Sequence, residues 1–402
     1  MPWARIALAL LVLGTAAACG FDVTNHAVSA SEGRRAYVGG DSYYLGRPSG
    51  EFALFSASDG RPLPTTAAVT GGKVNAIAHD GVGGWFLGGW FTHVGGVRCA
   101  RFAHLRSDQS VDRRFCLMPN RHVSALALRG STLYIGGSFT RIDGKTRLRL
   151  AAVDVRRGTV RAWNPRATGR TVLDGSARVF PWVLAIAASP SAIYVGGAFQ
   201  RIGGAARQNL AALDPRTGRA LPWKVELEDI PDETYVYEDV HALALADSTL
   251  YAAGSFLRVA GEGRPGLAAL DAATGRLRHW KPSIPKENLP DNVWAIAPTR
   301  SAVYAGLYAS SDAGVVALNP RSGRRIWWIR PKVEYAVSYQ ALAVAGSTLY
   351  VGGDFDRLDG RRRSNLAAVD LRTGRMTAWA PKSEPVGALA VGGGKLAVGL
   401  GG

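Results

Sequence analysis

Cysteine is scarce: there are three in 402 residues, at positions 19, 99 and 116. They stand far apart, so no Cys-x-x-Cys redox pair and no thiolate knuckle for zinc can form locally. The seven histidines (His26, His79, His93, His104, His122, His241, His279) contain no His-x-x-x-His step, which excludes the common helix-borne metal site. There is no Gly-x-Ser-x-Gly elbow and no Gly-x-x-x-x-Gly-Lys phosphate loop, so neither nucleophile-elbow hydrolysis nor P-loop chemistry is indicated. Beyond residue 18 no run is apolar enough to cross a bilayer as a helix. Acid is also in deficit, with 31 Asp and Glu against 48 Lys and Arg, a formal charge of +17. Such a balance can mean nucleic acid or anionic surfaces. Here the arginines recur at fixed repeat positions instead of forming one run. Nucleic acid is therefore not an expected partner, and anionic envelope polymers or lipid head groups fit better.

Glycine is plentiful at 49 residues and spread along the chain, beside 47% hydrophobic residues. That combination suits many short strands and tight turns around a large core. The first residues read as a targeting segment. Arg5 precedes an apolar stretch, 6–18, too short to span a membrane but right for a signal peptide. Ala16-Ala17-Ala18-Cys19 resembles a bacterial lipobox, departing from it at Ala16, where Leu is usual. Residues 1–18 are thus expected to be a signal peptide of lipoprotein type, Cys19 a lipidation site, and 19–33 a polar tether. The alternative is an ordinary signal peptide cut at an Ala-x-Ala site.

The rest of the chain is a repeat. Ile193-Tyr194-Val195-Gly196-Gly197-Ala198-Phe199 leads to Leu210-Ala211-Ala212-Leu213-Asp214-Pro215-Arg216-Thr217-Gly218 and on to Trp223. The second position of each copy falls at Tyr37, Phe86, Tyr134, Tyr194, Tyr251, Tyr304, Tyr350 and Ala397, at intervals of 46 to 60 residues. That period holds about four short strands, one propeller blade. Strand a is of the Val-x-Ala-Leu-Ala type, strand b Leu-Tyr-Val-Gly-Gly, strand c Leu-Ala-Ala-Leu-Asp, and strand d leads to the Trp. The expected fold is all-β: one seven-bladed β-propeller of four-stranded blades over 34–402. The first copy lacks strand a, and 386–390 supplies it, so N- and C-terminal strands should close the ring and remove a free edge. Residues 35–39 and 395–399 both look like strand b, one more than the ring needs.

The Tyr-Val-Gly-Gly-x-Phe segment, followed by Arg-x-x-Leu-Ala-x-Leu-Asp-x-x-Thr-Gly and Trp, resembles the delta-60 (domain of unknown function 5122-like) propeller repeats of bacterial surface proteins. It covers roughly 35–402. That resemblance implies the architecture and no general activity. Leu-Asp-x-x-Thr-Gly-x-x-x-x-Trp also resembles the repeat of pyrroloquinoline-quinone enzymes and their non-catalytic relatives, among them an outer-membrane assembly lipoprotein. The adjacent cysteines and acidic Ca²⁺ cluster of the quinone enzymes have no match here. No cofactor and no metal site is expected.

Residues repeated in every blade read as scaffold. Arg141, Arg201, Arg258 and Arg357 share one position, and Arg147, Arg207, Arg264 and Arg363 another; each should satisfy carbonyls within its own blade. Function belongs to what is not repeated. The d–a connections differ in length and charge, one of them acidic over 226–239. The second residue of strand a changes from Asn75 to Ser124, Leu184, His241, Trp294, Gln340 and Gly387 while its neighbours stay constant. These features point to a funnel lined by Trp182, Tyr235, Tyr237, Glu238, Asp239, His241, Trp294, Tyr339 and Gln340, whose aromatics and carboxylates suit carbohydrate or a peptide segment. The plain alternative is that these side chains only seal the ring. Cys99 and Cys116 align with positions that open strand c and close strand d. In an oxidising compartment they should form a disulfide. No catalytic residue is assigned. The expected protein is an exported, lipid-anchored monomer that binds or scaffolds protein or carbohydrate at the cell envelope. The alternative is an exported propeller enzyme (lyase, hydrolase or quinoprotein-like) with its site at the channel mouth.

Overall fold

The computed structural model describes residues 50–169, 171–173, 177–179, 181–228, 239–284, 293–308, 314–330 and 338–401. The targeting segment, Cys19, the tether, the strand-like 35–39 and the funnel residues Tyr235, Tyr237 and Glu238 lie outside them. Among the described residues the secondary structure is strand, apart from one 3₁₀ turn at Arg113–Phe115. No described helix is long and apolar enough to cross a membrane.

The strands form small antiparallel sheets of one pattern. The main strands are β1 (Phe52–Ser56), β2 (Pro62–Leu63), β3 (Val74–His79), β4 (Trp85–Gly89), β5 (Phe102–Leu105), β6 (Val123–Arg129), β7 (Thr132–Gly137), β8 (Leu150–Asp154) and β9 (Thr159–Val160). They continue with β10 (Trp182–Ala188), β11 (Ile193–Ala198), β12 (Leu210–Leu213), β13 (Asp239–Ala246), β14 (Thr249–Ser255), β15 (Leu267–Asp271), β16 (Val293–Pro298) and β17 (Val303–Leu307). The last are β18 (Gly314–Leu318), β19 (Arg325–Ile329), β20 (Ser338–Ala345), β21 (Thr348–Asp354), β22 (Leu366–Asp370), β23 (Val386–Gly392) and β24 (Lys395–Leu400). Sheets run β3-β4-β5, β6-β7-β8-β9, β10-β11-β12, β13-β14-β15, β16-β17-β18-β19 and β20-β21-β22, and β23-β24 pairs with β1-β2. Where the fourth strand is not continuous, a single bridge stands for it, as at Leu213↔Ala220 and Val369↔Met376.

The b strands explain the aromatic repeat. They are buried on both faces, so alternate side chains serve opposite neighbours. In β7, Leu133 and Ile135 pack with Phe86 of the preceding sheet. Tyr134 packs the other way, with Ile193 and Val195 of the next. The same hand-off passes from Tyr194 to Leu250, from Tyr251 to Val303, from Tyr304 to Leu349 and from Tyr350 to Leu396. Finally Ala397 packs with Trp85 and Leu87 of β4. Each inner strand lies beside the next, and β23 lies beside β3 as well as β20.

The Gly-Gly of strand b has a cause for each member. A Cβ on Gly136 would meet Val183 Cγ1 of the next sheet at 2.5 Å. One on Gly137 would meet the His122 carbonyl oxygen at 2.1 Å, across the bulge in the β6–β7 register. A side chain at either place would push two strands apart.

The recurring Trp is a bridge between sheets. Trp163 donates Nε1 to the Asp214 carbonyl of the next c–d turn at 3.1 Å, Trp280 to Asn319 at 2.8 Å, and Trp379 to Ser56 at 3.2 Å. Each ring covers the next turn, where Gly218 and Gly60 adopt φ of 70–75° (74° and 75°) and leave room for the indole. Asp154, Asp214, Asp271 and Asp370 cap those turns by accepting from backbone N–H groups. The recurring arginines behave as scaffold. Arg147 donates to the Arg161 carbonyl, Arg207 to Leu221 and Trp223, and Arg363 to Thr377. In the sheet of β3–β5 that tie is absent. There Cys99 and Cys116 are joined instead, with Cα atoms 4.6 Å apart.

At the ends, β24 takes the strand b position, pairing with β23 on one side and β1 on the other from Phe52↔Gly399 to Ser56↔Lys395.

Candidate functional site

The inner strands surround a central cavity of about 240 Å³, lined at the variable second position by Asn75, Ser124, Leu184, His241, Trp294, Gln340 and Gly387. Strand alternation places that position on the inner surface, while the flanking Val and Ala enter the sheet interfaces. In β6, for example, Val123 and Ala125 are buried and Ser124 is half-buried.

Three of the expected funnel residues stand together. His241 Nε2 lies 2.5 Å from Asp239 Oδ1, with both side chains about nine-tenths buried (11% and 8% exposed). The Trp294 ring stands edge-on to His241, centroids 4.5 Å apart, and Tyr308 adds a further edge contact at 6.4 Å. Trp294 remains 36% exposed and Trp182 39%, which is high for the largest apolar side chain in a well-packed protein. Gln340 donates to Ser338 Oγ at 3.0 Å and lines the cavity. Tyr339 is a different case. The alternation that turns Gln340 inward turns Tyr339 outward, and it is fully buried against Phe355. It belongs to the core and not to the lining.

Several mouth residues were not foreseen. Ser255 pairs across from Asp239 and contacts His241 Nε2 at 3.1 Å. Trp90, Ser138, Ala198, Ser255, Tyr308 and Asp354 occupy one position, directly after strand b reaches the mouth. The signal was available: this position varies as freely as the second residue of strand a, and antiparallel pairing sets it opposite the residue two before that one, Trp182, Asp239 or Ser338. Trp90, 41% exposed, faces His122 with ring centroids 5.8 Å apart. On the closing sheet, burial pushes the Glu51 carboxyl above its ordinary range, with Lys73 opposing and Glu384 adding to the rise. The acidic connection contributes less than its sequence suggests. Glu226 pairs with Lys224, and Glu228 lies 3.5 Å from Arg258; the remainder of that connection is outside the described residues.

Ser255, His241 and Asp239 have the composition of a hydrolytic triad but not its geometry. A relay needs the carboxylate on one ring nitrogen and the hydroxyl on the other. Here both oxygens approach Nε2. No group of three His, Cys, Asp or Glu side chains suited to a metal occurs among the described residues.

The family model described as outer membrane protein assembly factor BamB, of the PQQ type, matches residues 206–396, from the hairpin before β12 to the start of β24. The chain is a propeller-fold protein with BamB-like repeats. No curated protein matches it. Among solved structures, it is similar to the computationally designed Ika8 protein at 13% identity and a TM-score of 0.47, covering 84% of this chain and 96% of that one. It is also similar to the extracellular domain of the hybrid two component system BT4673 from B. thetaiotaomicron, at 10% identity and 0.49, covering 82% of this chain and 40% of that one. A third is the Neurospora crassa Pan2 WD40 domain, at 11% identity and 0.40, covering 66% and 68%. The fold rests on the strand pairing of the BamB-like repeats themselves, not on these distant likenesses.

Proposed function

We propose that the sheets close into a seven-bladed ring, and that this propeller is an exported, non-catalytic module that binds protein or carbohydrate at the cell envelope through its channel mouth. Exposed indole beside a buried polar cluster carries the reading: Trp294 stays open to solvent beside His241, which bonds Ser255 and lies against Asp239. An indole face takes the C–H face of a sugar or an apolar side chain. Fixed polar groups next to it set orientation. Asp239 and Ser255 both approach Nε2 of His241, which is not the relay arrangement of a hydrolytic triad and agrees with a binding role. Export and lipidation at Cys19 follow from the N-terminal residues, and the delta-60-like signature agrees with a surface role.

The test is capture. The full chain is presented to a glycan array and to an envelope extract, alongside His241→Ala, Trp294→Ala and Trp182→Ala. Capture lost in the three variants, with melting temperature held, supports the mouth as the site. Capture that persists while the melting temperature falls would show these side chains to be packing, and the reading would fail. Mass spectrometry of membrane-fraction protein tests export separately: a cytosolic protein with an intact Met1 would refute it.

A further inference from the structure

The turn of the sheet β16–β19 departs from the others in one respect. Where Asp154, Asp214, Asp271 and Asp370 cap their turns, this sheet has Asn319. Its side chain makes the same bonds, accepting from Arg321 N–H at 2.9 Å and Ser322 N–H at 3.0 Å. The fold is served equally, and the negative charge is gone. At the same turn the arginines accumulate. Arg321, Arg324 and Arg325 are all exposed, and their guanidinium groups make no hydrogen bond or ion pair with the described residues. Arg325 lies over the Trp328 ring at 5.1 Å and Arg330 at 3.8 Å. Between them stands Ile326, 51% exposed on an outermost strand. A groove of about 710 Å³ adjoins the turn and brings Arg276 and His279 of the neighbouring sheet alongside Arg321, together with Arg278, which is paired with Asp271 at 2.9 Å.

Other c–d turns also expose arginines, such as Arg216 with Arg219 and Arg372 with Arg375, but two at a time and beside a capping Asp. Those of the b–c hairpins are occupied within their own blades: Arg141 bonds the Gly144 carbonyl, Arg258 that of Gly261 and Arg357 that of Gly360. Arg321 and Arg324 have no such use among the described residues, and Arg325 has only the Trp328 ring beneath it.

We propose that this turn and its outer strand, Arg321 to Ile326 with Trp328, form a docking surface for an anionic phospholipid bilayer. The turn itself holds three cations and no acid from Arg321 to Arg325, and such a cluster is drawn to the negative surface of a membrane. An exposed aliphatic residue beside an Arg-stacked indole suits the interface between head groups and chains. A dissolved polyanion would use the arginines and leave Ile326 without a role. The proposal is independent of any ligand at the channel mouth.

Vesicle flotation tests it with the full chain. The vesicles are phosphatidylcholine alone, or phosphatidylcholine with about one-third phosphatidylglycerol. The expected result is partition onto the anionic vesicles, lost in molar salt, where the screening length falls to about 3 Å. Arg321→Glu/Arg324→Glu/Arg325→Glu should weaken it on the order of a hundredfold, from about tenfold or less per cation removed. Arg141→Glu/Arg201→Glu/Arg357→Glu removes the same charge elsewhere and should leave partition within about twofold. Ile326→Ser should weaken vesicle binding and leave binding to soluble polyphosphate unchanged. Equal losses from both triple variants would reduce the effect to net charge and overturn the proposal. So would an Ile326→Ser variant that partitions as the parent does, which would assign the patch to a soluble polyanion. Because both triple variants share the apolar N-terminal segment, its own membrane affinity cancels.

Discussion

Trp379 reaches from the end of the chain to its beginning. Its buried ring stands edge-on to Tyr350 at 5.2 Å, covers Gly60, and donates to the Ser56 carbonyl at 3.2 Å. Trp163 makes the same set of contacts mid-chain, with Tyr134 at 5.1 Å, Gly218, and the Asp214 carbonyl at 3.1 Å. Truncating a buried Trp to Ala costs about 3–5 kcal/mol. That is a large part of the ~5–15 kcal/mol that holds a domain folded. In the proposed closed ring no junction is terminal, so Trp379→Ala and Trp163→Ala should each cost that amount against global unfolding. Trp379→Phe keeps most of the apolar surface and loses the indole donor, for about 1 kcal/mol plus the penalty on an unpaired carbonyl. Urea unfolding, followed by far-UV circular dichroism and fluorescence, measures all three. The midpoints of the two Ala variants should fall together, with the slope unchanged. If Trp379→Ala unfolded at the midpoint of the parent while Trp163→Ala did not, the last junction would be a frayed end, and the closed ring would be wrong.

Cys99→Ser/Cys116→Ser should lose about 3 kcal/mol in the chain-entropy model for residues 17 apart, and thiol labelling of the unreduced, unfolded parent should find neither sulfur. Gly374→Ala should cost more than 1 kcal/mol by the same assay, because φ there is 67° and the new Cβ would meet the Trp327 ring at 2.6 Å. Asp112 is buried, and the Arg114 guanidinium holds its carboxyl down to about 2. A depressed carboxyl stabilises the folded state above its ordinary value, and that contribution is lost as pH falls from about 4 to about 2. Asp112→Asn should therefore flatten that part of the acid-unfolding curve while lowering stability at neutral pH.

The repeat made the architecture legible because strand pairing and blade packing act on the same residues in every copy. Tyr194 and its equivalents could be read as one position from spacing alone. Their direction, across to the next sheet, could not, since that depends on two-sided burial. Tyr339 and Gln340 show the limit at the site. Both interrupt a repeated pattern, but only alternation in the folded strand separates the side chain that lines the cavity from the one that fills the core. Ser255 escaped because the sequence separates it from His241 by a whole hairpin arm, whereas Tyr308 could be singled out as the residue that breaks the repeat in its own copy. The Cys99–Cys116 bond was legible from the alignment of those positions, but the carbonyls of Leu221 and Trp223 that Arg207 reaches two sheets later emerge only in three dimensions.

The pairing of β1 with β24 governs when this chain can finish folding. During synthesis, at roughly 5–20 residues per second, β1 is among the first strands to emerge, and its partner is among the last. Until Lys395–Leu400 arrives, Phe52–Ser56 has an unpaired edge and an uncovered apolar face. Such an edge is a template for any other extended chain. A message ending anywhere before Val386 would thus yield a product in which β1 lacks its partner strand, and such a product is expected to aggregate. The same wait applies to a chain threaded unfolded through a membrane: β1 gains its partner only once Lys395–Leu400 has crossed.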